Sequence, residues 1–239
     1  MAQTVFQRYE KKYLLDREQY TALRDQLSGR MREDRYGRYT ICNIYYDTPD
    51  YQLIRASLEK PVYKEKLRLR SYRVPDSQSP VFLELKKKFD GVVYKRRAVL
   101  TLGEAQRFLW NGERPDGQEQ ILNEIGWAMQ FYRPEPKVFI GYDRTALFSE
   151  EEPDLRVTFD TGLRWRNTAL DLSKGDWGAP IRRDGKILME LKLPGAMPLW
   201  MAHLLGDLRI YPTSFSKYGA CYQQYLYRQQ RLRGGAVCA

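Results

Sequence analysis

Histidine is almost absent from this chain, with His203 alone among 239 residues. That scarcity argues against histidine-dependent catalytic triads and multi-histidine zinc sites. His203 itself sits beside Met201, Leu204 and Leu205 in an apolar helical stretch, a setting for packing rather than proton transfer. Cysteine is scarce too. Cys42, Cys221 and Cys238 show no metal-ligand spacing, and an odd count without a signal peptide predicts reduced, structural thiols in the cytoplasm. The first eight residues are too short and polar for a secretory signal, and no apolar run approaches the roughly 20 residues of a membrane span, so no span is expected in this chain. There is no P-loop and no dinucleotide fingerprint, so any bound phosphate must be held by side chains. Internal repeats, low-complexity tracts and long linkers are also missing, which predicts one domain over residues 1–239.

Positive charge is abundant. Forty Lys and Arg against 30 Asp and Glu give a formal charge of +10, which favours anionic partners without naming them. The charge is patterned. Lys64, Lys66, Arg68 and Arg70 occupy alternate positions in one run, Glu84, Lys86 and Lys88 in the next, and Glu190 and Lys192 in a third. Strand side chains alternate between faces, so these residues share one face while Leu67 and Leu69, Leu83 and Leu85, or Leu191 and Leu193 share the other. Curled with the ionic faces inward, such strands would line a cationic tunnel containing a few acids, suited to polyanions and a divalent metal.

The pattern predicts eight strands, over residues 5–15, 39–46, 63–72, 81–88, 92–101, 137–145, 155–163 and 186–193. Eight is the number that closes a small barrel. A helix capped by Asp16 and ended by Gly29 should follow the first strand, and further helices are expected over 103–110, 119–132, 199–208 and 218–232. The expected fold is α+β: an eight-stranded antiparallel barrel with peripheral helices and a C-terminal helix.

Glu10, Glu84 and Glu190 each precede a lysine by two residues (Lys12, Lys86, Lys192), which places a hard oxygen ligand for Mg²⁺ or Mn²⁺ next to a cation for phosphate. One such pair is more often a solvated salt bridge, but three repeats favour a site. Arg144, and Arg156 on the face of Thr158 and Asp160, add forked donors that stay charged. Tyrosine, at 18 residues, raises stacking on single-stranded nucleic acid as a rival, but no RNA-binding motif accompanies it and no nucleic-acid partner is expected.

The ordered series Arg8-Tyr9-Glu10-Lys11-Lys12-Tyr13, Ile44-Tyr45-Tyr46-Asp47-Thr48, Lys66-Leu67-Arg68-Leu69-Arg70, Glu84-Leu85-Lys86, Asp143-Arg144-Thr145, Leu155-Arg156-Val157, Glu190-Leu191-Lys192 and Ser214-Phe215-Ser216-Lys217-Tyr218 resembles the VTC domain. That family is the polyphosphate-polymerase branch of the triphosphate tunnel metalloenzymes, related to CYTH domains. The resemblance implies a barrel whose tunnel takes a nucleoside triphosphate at one end and releases a phosphate chain at the other. It implies phosphate-binding catalytic roles for Lys12, Arg68, Arg70, Lys86, Arg144, Arg156 and Lys192, metal binding by Glu190, and chain contact by Lys217. Glu10, Arg55, Lys88 and Arg96 are further substrate-binding candidates, with Arg96 expected to point inward.

Hydrolases of the superfamily resemble Glu-x-Glu-x-Lys in the first strand, where this chain has Arg8 in place of the first acid. The loss of that acid removes a group that could orient water and argues for transfer to a phosphate acceptor. The resemblance therefore implies an enzyme that moves the γ-phosphate of ATP onto inorganic polyphosphate with Mn²⁺ or Mg²⁺, acting as a monomer or weak homo-oligomer. An inorganic triphosphatase and a non-catalytic polyphosphate- or nucleotide-binding module remain as alternatives.

Overall fold

In the computed structural model, residues 9–90, 92–117, 119–152, 154–193 and 195–228 are described. All eight predicted strands form: β1 (Tyr9–Leu15), β2 (Arg32–Asp47), β3 (Tyr63–Tyr72), β4 (Pro80–Phe89), β5 (Val92–Thr101), β6 (Glu135–Phe148), β7 (Arg156–Arg166) and, after the two-residue bridge β8 (Ala179–Pro180), β9 (Ile187–Leu193). A second bridge, β10 (Pro212–Thr213), joins the edge. The antiparallel sheet runs β10-β1-β9-β7-β6-β2-β3-β4-β5, with β8 on β7.

The sheet curls but does not close, which corrects the expected barrel. The outer edge of β1 is met by β10 through Lys12↔Thr213 and Tyr13↔Pro212, while β5, at the other end of the order, pairs with β4 alone. Pro212 has no N–H with which to extend the ladder. A β-bulge shapes the wall further along. Between the pairs Gly141↔Arg164 and Asp143↔Thr161 an extra residue enters β7, with Gly162 at φ +58°, a conformation that glycine adopts without a Cβ penalty. The bulge shifts the alternation, so Asp160 before it and Leu163 and Trp165 after it all face the concave side.

Three apolar clusters hold the sheet. On the convex face of β2 to β5, Leu67, Leu69, Leu83, Leu85 and Ala98 pack under α3 (Leu102–Asn111) and α4 (Glu119–Tyr132). Thr101 and Glu104 form a capping box at the start of α3. On the convex face of β1, β9 and β7, Tyr13, Leu15, Val157, Phe159, Met189 and Leu191 pack under α1 (Arg17–Leu27) and α5 (Leu199–Asp207). Asp16 caps α1, as expected.

The third cluster fills part of the concave face. Ile41, Tyr45, Val138, Ile140, Tyr142 and Leu188 meet Ile54 from α2 (Gln52–Leu58) and Tyr218, Cys221 and Tyr222 from α6 (Lys217–Cys221) and the π-helical turn that continues it, Tyr222–Leu226. Tyr218 stacks on Tyr45 with ring centroids 4.8 Å apart. Asp47 ties the two helices together by accepting hydrogen bonds from Leu53 N at 2.8 Å, Ile54 N at 3.0 Å and the Tyr218 hydroxyl at 2.9 Å. A Cβ at Gly219 would lie 3.0 Å from a Leu58 methyl, so α6 approaches α2 where glycine makes room. Arg8, Cys238 and the predicted helix beyond residue 228 lie outside the described residues.

Candidate active site

The concave faces of the strands carry two carboxylate-centred clusters of cations. In the first, Glu84 of β4 is 1% exposed. It accepts from Arg68 Nε at 2.7 Å and Arg97 Nε at 2.7 Å, pairs with Lys95 Nζ at 2.7 Å, and has Arg70 Nε at 3.9 Å. Arg70 also donates to Asn43 Oδ1 at 3.0 Å. Burial alone would raise the Glu84 pKa, but Arg68, Arg70 and Lys95 outweigh it and hold the carboxyl far below its ordinary range. Glu84 thereby organises Arg68, Arg97 and Lys95 on the concave face.

The second cluster joins β6, β7, β9 and α6. Arg144 donates to Asp160 through Nε at 2.6 Å and Nη2 at 2.7 Å, and reaches Glu190 Oε2 at 3.3 Å. Lys217, at the start of α6, pairs with Asp160 at 2.6 Å and Glu190 at 3.0 Å. Lys12 lies 3.7 Å from Glu190 and 3.3 Å from Glu10, and donates to the Phe215 carbonyl at 3.1 Å. For Glu190, burial is again outweighed by Lys217, Arg144, Lys12 and Lys192, and its pKa falls well below the usual carboxylate range.

The curl brings the two edges of the sheet within electrostatic reach. Glu10 on β1 feels Lys86 on β4, and Lys66 on β3 feels both Lys12 and Lys86. Lys192 on β9 feels Arg144, Glu190, Glu10 and Arg70, and with burial as the largest cause its pKa is lowered. Lys66 shows the excess of charge most clearly: burial, then Lys12, Lys86, Lys64 and Arg68, push its ammonium down to about 7. Its hydrogen bond, to Ser216 Oγ at 3.2 Å, is to a neutral group. Lys95 is pushed down to about 8 by burial, against the pull of Glu84. Buried cations in excess of their acids are what a binding site for polyanions requires. A cavity of about 720 Å³ opens beside them, lined by Glu10, Lys12, Lys60, Lys64, Lys66, Lys88 and residues 212–216.

The structure therefore brings together Lys12, Arg68, Arg70, Lys86, Arg144, Lys192, Lys217, Glu10 and Glu190. It places Lys88 at the lysine-lined mouth and Arg156, exposed, opposite Lys192 on the same face. Two candidates differ. Arg96 points to the convex side, where Nε donates to both Glu124 carboxylate oxygens of α4 at 3.0 Å. Its neighbours Lys95 and Arg97 face the concave side instead. Three consecutive cations hide the register of β5, but Ala98 and Leu100 share the alternation of Arg96 and are buried under the helices, a signal legible in the sequence. Arg55 lies on α2, half-exposed and paired with Asp50 at 3.2 Å, and is not brought to the concave row. Asp160, fully buried, is an organising residue that its place beside Arg156 and Thr158 already marked. His203 is exposed on α5, and burial pushes the Cys42 thiol up to about 11, an inert form.

Among the described residues no three or more His, Cys, Asp or Glu side chains form a metal-binding group. Glu190 and Glu10, diagonal neighbours on β9 and β1, are the two carboxylates that could hold Mg²⁺ or Mn²⁺ together with substrate phosphates. Among the described residues no helix is long and apolar enough to cross a membrane.

The family model of the VTC domain matches residues 7–226. Among solved structures, the chain is similar to a candidate adenylate cyclase from Bacillus halodurans at 15% identity, with a TM-score of 0.57 over 90% of this chain and 96% of that one. A candidate adenylate cyclase from Vibrio parahaemolyticus is 12% identical, with a TM-score of 0.49 over 91% and 98%. A candidate adenylyl cyclase from Hippeastrum with a dominant triphosphatase activity is 17% identical, with a TM-score of 0.47 over 90% and 94%. The first of these likenesses bears on the fold alone. No curated protein matches the sequence.

Proposed function

Because the chain belongs to the VTC domain family, we propose that its concave face transfers the γ-phosphate of ATP to the terminal phosphate of inorganic polyphosphate and releases ADP. The observation that carries this reading is the charge balance of the wall. Cations outnumber acids, and each of Glu10, Glu84, Asp160 and Glu190 is held by at least one cation. Such acids are poorly placed to deprotonate water, whereas the cations are placed to bring two phosphate groups together.

The transfer breaks the bond between the γ-phosphorus and the β–γ bridging oxygen, which leaves with ADP. It forms a bond from a terminal oxygen of the acceptor chain to the same phosphorus, with no covalent enzyme intermediate. An acceptor phosphate is already anionic at neutral pH, so no general base is required, and the barrier lies mainly in anion repulsion and alignment. Arg68, Arg70, Arg97 and Lys95 on one wall and Arg144, Lys192, Lys12 and Lys217 on the other would neutralise donor and acceptor and hold them in line. Glu190, with Glu10, would hold Mg²⁺ or Mn²⁺, which would supply further neutralisation of phosphate charge.

The same wall could serve an inorganic triphosphatase, and the Glu10–Glu190 pair is the feature that favours this second reading, since two acids near one metal can position water. The test is purified protein with γ-labelled ATP and Mn²⁺, resolved on a gel, beside a parallel incubation with tripolyphosphate. Labelled polymer with slow tripolyphosphate hydrolysis supports the polymerase. Rapid tripolyphosphate hydrolysis without polymer assigns the triphosphatase.

A further inference from the structure

At the other end of β3 and β4 from the lysine mouth, aromatic rings succeed charge on the concave face. Tyr39 on β2, Tyr72 on β3 and Phe82 on β4 form an edge-to-face row across three adjacent strands, with centroids 5.7 Å apart for Tyr39 and Tyr72 and 5.4 Å for Tyr72 and Phe82. Tyr36 adds a fourth ring 6.2 Å from Tyr39. Alternation puts Tyr72 on the face of Arg70 and Arg68, and Phe82 on the face of Glu84. A row buried in a core would need no ligand, but Tyr72 is 44% and Tyr36 60% exposed.

Both ends of the row run into the cation clusters. The Arg97 guanidinium lies 4.6 Å over the Phe82 ring while its Nε bonds Glu84. Tyr39 pairs across the strands with Arg144, the residue that grips Asp160. The lysine mouth is different in kind, since Phe215 is the one aromatic residue in its lining. One end of the wall thus presents ring faces beside arginines and the other presents ammonium groups, with eight residue steps of β3, about 27 Å of extended strand, from Lys64 to Tyr72.

We propose that Tyr36, Tyr39, Tyr72 and Phe82 are a stacking platform for the nucleobase of a nucleoside triphosphate. The platform fixes the direction of the donor: the base lies on the aromatic row, the phosphates run along Arg70 and Arg97 toward Lys66, and the phosphate chain occupies the lysine mouth. This rests on the function proposed above only in taking the concave face as a triphosphate site. Stacking reads the face of a base rather than its edge, so discrimination among bases is small.

The test is calorimetric titration of the whole protein with ATP and, separately, with tripolyphosphate, for wild type, Tyr72→Ala, Tyr72→Phe and Tyr36→Ala. Tyr72→Ala weakens ATP binding on the order of tenfold and leaves tripolyphosphate within about twofold, the loss expected for one stacking partner. Tyr72→Phe keeps ATP affinity, because the ring and not the hydroxyl is needed, and Tyr36→Ala gives a smaller loss for ATP alone. An equal loss for both ligands, or unchanged ATP affinity in both alanine variants, overturns the platform. Wild type that binds tripolyphosphate but not ATP overturns the platform and leaves the phosphate site standing, whereas wild type that binds neither overturns both.

Discussion

Binding of a triphosphate to this wall should take up a proton at Lys66. In the ligand-free protein burial and four neighbouring cations push its ammonium down to about 7. A polyanion beside it removes the penalty, so its pKa must rise on binding. At pH 8 a group with a pKa of about 7 is about one-tenth protonated, so binding takes up about 0.9 proton; at pH 6 the same group is already about nine-tenths protonated and takes up about 0.1. The Lys66 contribution to affinity therefore declines above pH 7, by up to about tenfold per unit until the bound-state pKa is reached. Titration of tripolyphosphate in buffers of different ionisation enthalpy counts these protons, and Lys66→Met subtracts the ligand's own titration. The stability effect has the opposite sense. The folded pKa lies below the unfolded value of 10.5, so the unfolded chain binds more protons between pH 7 and 10.5 and ligand-free stability rises across that window. Lys66→Met should remove this slope and raise Tm at pH 7. Equal proton uptake by wild type and Lys66→Met at pH 8 would show that Lys66 does not titrate on binding.

Arg68→Ala and Arg144→Ala should each slow turnover on the order of 10²- to 10³-fold in steady-state assays, the cost of one preorganised contact to developing charge, with Lys replacements restoring only part. Arg144→Ala should also lower stability by about 3–5 kcal/mol in urea unfolding, because it leaves the fully buried Asp160 with Lys217 alone among its cations. Glu190→Gln should abolish most metal-dependent turnover and lower Tm at pH 7. Its depressed pKa stabilises the fold above the ordinary carboxylate range, and the difference should shrink as pH falls through that range toward its own pKa. Asp47→Ala should cost about 3–5 kcal/mol, because it orphans the buried donors Leu53 N, Ile54 N and the Tyr218 hydroxyl, and hydrogen exchange should rise in α2 and α6 before the sheet.

The long strands were legible because their alternation is strict: Leu67, Leu69 and Leu83 face helices while Arg68, Arg70 and Glu84 face the concave side. The first half of β2 was not, because residues 32–38 are mostly charged and Gly37, at φ +59°, breaks the pairing between Glu33 and Arg38. Helix α2 has only seven residues, and its first N–H groups donate to Thr48 and Asp47, upstream of the N-cap residue Tyr51. Arg96 was misplaced because Lys95, Arg96 and Arg97 look alike locally and only the buried Ala98 and Leu100 fix the register. The pairing of β10 with β1 could not be read from any strand alone, since β10 reaches that edge from about 200 residues downstream in the chain.

On the proposed function, this wall delivers a phosphoryl group to phosphate rather than to water. The most direct measurement is the ratio of free phosphate to ADP in one reaction of the purified protein with ATP, Mn²⁺ and a short polyphosphate primer. Transfer predicts ADP and acid-labile polymer rising together, with free phosphate a small fraction of ADP. Free phosphate equal to ADP, with no growth of the primer, would instead mean transfer to water.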